Sequence, residues 1–320
     1  MVIDLDEHNV SPGHFMKIFE KTLQTREKSG IGTTGVLRMG QIICIASLKG
    51  GVGKTTTAVN LSTALAIAEK KSLLVDCDPQ GHATSAMGIN KAKLTATIYH
   101  VITGRALLET SIIKSDLESL NTLPARIELM RAEAELMKKP YKEKILHKLL
   151  CGLKETYDYI IIDSSPSLSL LTVNAISAAD SLLIPLQCEF YALEGVKHLL
   201  KAVQILKKHY NPKVKISGLL LTMFDGGENI CRIIGNEVRN HFKQMVFNTV
   251  IPRSVHLREA AVYGRPLLLK DISSAGAQSY LKLAKELIDK HSGQHLDDTA
   301  KLNTSGRVDP EKHVFSKGAV

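Results

Sequence analysis

The chain of 320 residues is predicted to be an α/β protein, with a mostly parallel, twisted sheet covered by helices on both faces. Three observations carry this prediction. Apolar runs without polar alternation, such as Gln41–Ser47 (QIICIAS), Tyr159–Asp163 (YIIID) and Ser181–Leu186 (SLLIPL), suit strands covered on both sides. Segments with helical spacing of apolar residues separate them. Strand–helix alternation of this kind joins parallel strands through crossover helices, which then coat the sheet.

The elements follow in order. Gln41–Ser47 is the first strand, then a glycine-rich loop, a helix over about Thr55–Lys70 and a second strand at Ser72–Asp76. Ile98–Thr103, Arg126–Lys138 and Tyr141–Thr156 read as helical, with a short strand near Leu120–Leu123. After the apolar strands at 159–163 and 181–186 come a helix at Leu193–His209, a strand at Ile216–Phe224, a helix at Ile230–Phe242 and a strand at Val246–Ile251. A last amphipathic helix spans about Ser274–Lys290. This divides the chain into an N-terminal extension (1–39), an α/β domain (40–291) and a polar, disordered tail (292–320). Within the extension, Phe15, Ile18, Phe19 and Leu23 have the spacing of one short helix.

Composition narrows the function. Hydrophobic residues are 44% and charged residues 23%, as in a soluble globular protein. The five cysteines are scattered with no C-x-x-C pair, which fits a reducing cytoplasm and argues against a disulfide framework or a zinc site. The N-terminal stretch lacks the basic and apolar regions of a signal peptide. No apolar run approaches the roughly 20 residues that span a bilayer. The formal net charge is +9; residues 1–39 carry five basic and five acidic side chains and residues 291–320 four of each, so the excess lies in the folded middle. A basic domain between neutral ends points to an anionic partner.

The chemistry concentrates in Lys49-Gly50-Gly51-Val52-Gly53-Lys54-Thr55-Thr56, set between an apolar strand and an Ala-rich helix. Glycines let backbone N–H groups converge on phosphate oxygens, and the helix N-terminus adds its positive dipole end. Lys54 is placed to reach the β- and γ-phosphates and the Thr55 hydroxyl to meet Mg²⁺. ATP with Mg²⁺ is therefore the expected ligand. The usual pattern would start with a glycine where Leu48 stands, and Lys49 follows it. A second lysine cannot share one set of phosphates with Lys54 without repulsion. Reaching a partner's nucleotide, it would act as a finger in trans and make hydrolysis depend on dimerisation. Asp76 and Asp78 leave a strand end two residues apart, suiting one carboxylate near Mg²⁺ and one near the γ-phosphate. Asp163 closes the strand YIIID, the place of a carboxylate near the metal.

The segment K-G-G-V-G-K-T-T resembles the deviant Walker A motif of the ParA/MinD ATPases, a group of P-loop NTPases. The likeness continues in Val75-Asp76-Cys77-Asp78-Pro79-Gln80-Gly81, in Ile161-Ile162-Asp163, in Glu189-Phe190-Tyr191-Ala192-Leu193-Glu194-Gly195 and in Val250-Ile251-Pro252-Arg253, and is closest to the ParA/Soj proteins of chromosome and plasmid partition. It implies that Asp78 orients the attacking water, that Asp76 supports the metal shell, and that Pro252 lies against the adenine. Ser254 stands where the family often has an asparagine contributing to the same site. His82 stands where asparagine is commoner and reads as a surface variant. Only the second proline of the family's Asp-x-Pro-Pro remains after Asp163, which implies a looser switch. The resemblance further implies an ATP-bound homodimer that binds DNA without sequence preference through basic residues. Arg253, Arg258 and Arg265 are the first candidates. A ParB-type partner would stimulate an otherwise slow hydrolysis, in a cytoplasmic, nucleoid-associated protein without integral membrane association. The alternatives are a MinD-like membrane regulator of division, which would need a terminal amphipathic anchor, and an enzyme or cluster protein on the same fold.

Overall fold

The structure, a computed structural model, describes residues 39–189 and 192–305. The helix expected over Phe15–Leu23, and residues 306–320, lie outside them. Seven strands form one sheet: β1 (Gln41–Ile45), β2 (Ser72–Cys77), β3 (Ile113–Lys114), β4 (Leu120–Leu123), β5 (Tyr159–Ser164), β6 (Ser181–Gln187) and β7 (Lys215–Thr222), in the order β3-β4-β2-β5-β1-β6-β7. All pairings are parallel except the β3–β4 edge.

The helices are α1 (Lys54–Ile67), α2 (His82–Ala86), α3 (Ile98–Thr103), α4 (Leu108–Ser111), α5 (Leu129–Leu136), α6 (Ile145–Leu150), α7 (Leu170–Ala178), α8 (Ala192–His209), α9 (Asn229–Phe242), α10 (Val255–Val262), α11 (Leu267–Lys270) and α12 (Ala275–Ser305). The central strands are apolar throughout because alternate residues feed two cores. Ile42, Cys44, Val75, Ile160 and Ile162 face a layer that includes Leu129, Leu146 and Ala175. Ile43, Ile45, Leu74 and Ile161 face α1 and α12 through Ala58, Leu61, Leu65, Tyr280 and Leu283. From β1 the chain crosses β5 to reach β2, whereas β6 and β7 lie on the other side of β1. The connections diverge over the carboxyl end of β1, which is where open α/β sheets bind ligands.

Three expectations are redrawn. The expected strand at 246–251 is not formed: this stretch and the residue after it make isolated bridges, Leu219 with Val246 and Phe224 with Pro252. Its Asn248 and Thr249 N–H groups donate to the Glu286 carboxylate at 2.8 and 3.0 Å, which takes them out of any ladder. The helix expected over 141–156 is α6 flanked by two 3₁₀ turns. The final helix continues past Lys290 to Ser305.

Candidate nucleotide site

The loop leaves β1 and enters α1 at Lys54, with Gly51 and Gly53 at φ 75° and 88°. Both lie in the left-handed region that side chains resist, so the loop shape requires glycine there. Nothing lies within 4 Å of where a Cβ would stand on Gly50 or Gly51, leaving their backbone open toward the cleft. Thr222 at the end of β7 donates to the Val52 carbonyl (2.8 Å) and pins the loop from the other side.

Lys54 is buried and folds back to donate to the Lys49 carbonyl at 3.2 Å. Burial lowers its pKa, and the Asp163 and Asp78 carboxylates work against that shift. A buried ammonium held by one carbonyl is a cation awaiting an anion.

The three aspartates have different surroundings. Asp76 is fully buried and saturated: its carboxylate accepts from the Asp78 N–H (3.2 Å), the Thr84 N–H (2.8 Å) and the Thr84 hydroxyl (2.7 Å). Burial raises its pKa and these donors oppose the rise. Asp78 lines the cleft, with one oxygen accepting from Gln80 N–H at 2.9 Å. Asp163 is also fully buried, yet neither carboxylate oxygen has a hydrogen-bond partner. Burial and the nearby Asp76 push its pKa well up, with the Thr55 hydroxyl opposing. An orphaned buried carboxylate beside a threonine hydroxyl fits a divalent cation. Among the aspartates, Asp163, together with the Thr55 hydroxyl, is the one with open oxygens to hold it, whereas Asp76 already accepts three hydrogen bonds, one of them from the Asp78 N–H.

The expected looseness after Asp163 is offset locally. Ser164 donates to the Ile45 carbonyl (2.8 Å), and the Ser165 and Thr172 hydroxyls lie 3.1 Å apart. Ser165 and Pro166 line a cleft of about 720 Å³, together with the loop, Asp78 and His82. His82 is exposed, as its reading as a surface variant expects, and borders the cleft.

A second cavity of about 380 Å³ adjoins it, sharing Gly53, Thr56 and Met223. Pro252, Ser254, Leu257 and Tyr280 line it. Ser254 also caps α10, its hydroxyl accepting from Leu257 N–H at 3.4 Å. Arg253 and Arg258 lie on this cavity, whereas Arg265 is exposed and lines neither. Lys49 is paired in its own chain with Glu189, just after β6, both side chains roughly half exposed. Neither the Glu189 pairing nor the Tyr280 contact is legible locally, because each partner is remote in the chain.

A glycine cradle, an ammonium, an unpaired carboxylate with a hydroxyl, and an adjoining cavity define a phosphate-loop nucleotide-binding protein on a parallel α/β sheet. Residues 40–216 match the family described as AAA domain. The chain is 48% identical over 259 residues to the chromosome partitioning protein ParA of Myxococcus xanthus, covering 81% of this chain and 92% of that one. It is 48% identical over 249 residues to the sporulation initiation inhibitor protein Soj of Bacillus subtilis, covering 78% and 98%. Among solved structures it is similar to cobyrinic acid a,c-diamide synthase of Mycobacterium smegmatis with a bound ATP analog and magnesium. That likeness has a TM-score of 0.69 and 32% identity, over 78% of this chain and 94% of that one. The chain belongs to the ParA/Soj family of chromosome-partitioning ATPases. Among the described residues, no helix is long and apolar enough to cross a membrane.

Proposed function

We propose that this protein is a DNA-partitioning ATPase acting on a chromosome or plasmid, with ATP and Mg²⁺ as its ligands. The observation that carries the reading is the convergence of Lys54, Thr55 and Asp78 on one glycine-rich cleft, with the buried Asp163 carboxylate interacting with Thr55 and Lys54 just beneath it. The loop amides and Lys54 bind the phosphates, and Thr55 and Asp163 hold the metal. Asp78 orients the attacking water, and Asp76 fixes Asp78 through its backbone N–H. Magnesium, when bound, supplies charge neutralisation on the phosphates. The base lies in the second cavity against Pro252, with Ser254 at its edge.

Lys49 works in the ATP-bound homodimer, reaching the partner's nucleotide once it leaves Glu189. The dimer binds DNA without sequence preference, with Arg258 and Arg265 as phosphate contacts and Arg253 nearer the base cavity. A ParB-type protein stimulates a slow hydrolysis, which releases the dimer from the nucleoid. The Myxococcus xanthus relative at 48% identity is a chromosome partitioning protein, which favours this reading over a MinD-like membrane regulator. Phosphate release tests it: turnover with Mg-ATP and DNA rises at least about tenfold when the ParB-type protein of the same replicon is added, an effect the size of one lost transition-state contact. Unchanged turnover with DNA and partner together rejects the partition role.

A further inference from the structure

The C-terminal helix places one polar side chain between the two halves of the nucleotide site. Tyr280 of α12 is only 1% exposed, and its hydroxyl lies 3.2 Å from the hydroxyl of Thr57, which is itself fully buried. Thr57 stands in the first turn of α1, two residues beyond Thr55, and its N–H donates to the Gly53 carbonyl at 2.9 Å. The same tyrosine lines the 380 Å³ cavity with Thr56, Met223, Pro252 and Leu257. Burial raises the phenol pKa, so the hydroxyl stays neutral and able to donate.

The helix that carries it is seated closely. A Cβ on Gly276 would stand 3.0 Å from Leu267 Cδ2 and 3.1 Å from Leu257 Cγ, so α12 is held against α11 and against α10, the wall of the cavity. One helix thereby touches both the cavity wall and the phosphate-loop helix. Two hydroxyls removed from water are tolerated because they satisfy each other, and removing one strands its partner.

We propose that Tyr280 is a positioning residue of the nucleotide site: its hydroxyl, through Thr57, fixes the first turn of α1 against the cavity for the base, coupling base binding to phosphate binding. This rests on the reading of the second cavity as the base end. With the link intact, one placement of α1 satisfies base and phosphates together. Without it, α1 follows the phosphates alone and the base contributes less.

Calorimetry with Mg²⁺ and either ATP or tripolyphosphate tests this on the full chain, as wild type, Tyr280→Phe, Thr57→Val, Thr57→Ser and the Tyr280→Phe/Thr57→Val double variant. Tyr280→Phe keeps the ring and the packing. It and Thr57→Val are each expected to weaken ATP about three- to tenfold, the worth of one hydrogen bond, and tripolyphosphate by less than about twofold. Thr57→Ser, which keeps the hydroxyl, binds ATP like wild type, and the double variant is no weaker than either single one. Equal losses for both ligands, additive losses, or unchanged ATP binding by Tyr280→Phe would overturn the proposal. Failure of the underlying reading looks different: wild type itself would then bind ATP no better than tripolyphosphate.

Discussion

Replacing Asp163 with asparagine is expected to raise the melting temperature of the nucleotide-free protein while removing its response to Mg-ATP. The carboxylate is fully buried, and both oxygens lack a donor. A buried carboxylate left without hydrogen-bond donors costs on the order of 1–3 kcal/mol, partly offset by the Lys54 ammonium, or about 2–12 °C at about 2–4 °C per kcal/mol. The pH dependence gives the sign. The folded pKa of Asp163 is raised, so its cost is absent below the unfolded carboxyl value and grows as pH rises toward the folded one. Calorimetric melts across this range should show wild-type stability falling with pH more steeply than that of Asp163→Asn. With Mg-ATP the order reverses, because only the carboxylate gains a cation, and turnover of the variant drops about 100-fold or more. A variant that loses apo stability and keeps its Mg-ATP shift would mean that Asp163 is a structural carboxylate.

Lys49→Ala should separate binding from hydrolysis. Its side chain is roughly half exposed and its ion pair is with a rim carboxylate, Glu189, so truncation removes little stability. Lys54, not Lys49, is the buried ammonium facing the loop interior. ATP affinity is therefore expected to stay within about threefold, while turnover falls about 1,000-fold, the scale of a charge delivered in trans. Glu189→Gln frees the lysine without removing it and should keep wild-type turnover or exceed it. Equal loss of ATP affinity and turnover in Lys49→Ala would place the lysine on its own chain's phosphates.

The features legible in the sequence were those written locally. The runs QIICI, SLLVDC and YIIIDS are buried on both faces, and an uninterrupted apolar run states this without any tertiary knowledge. The glycine loop is legible for the same reason, since its geometry depends on neighbours in the chain. What escaped depends on distant groups. The edge segment at 246–251 has strand composition, but Glu286 on α12 claims two of its N–H groups. Asp76 and Asp78 alternate as if sharing a face, yet Thr84 draws Asp76 into a capping network. Arg253 and Arg258 read as contacts for an anionic partner, and only the fold shows that they also line the second cavity. Tyr280 lies within the expected last helix, and only the fold reveals that its hydroxyl meets the phosphate-loop helix across 223 residues.

Nucleotide state is expected to govern attachment to DNA, which a gel shift at low salt checks. The full chain is incubated with a DNA duplex of arbitrary sequence in Mg-ATP, in Mg-ADP and without nucleotide, alongside Arg258→Glu. Retardation in ATP alone, lost as salt rises through counterion release and weakened in Arg258→Glu, is the expected result. Equal retardation in all three nucleotide states, or none in any, would contradict it.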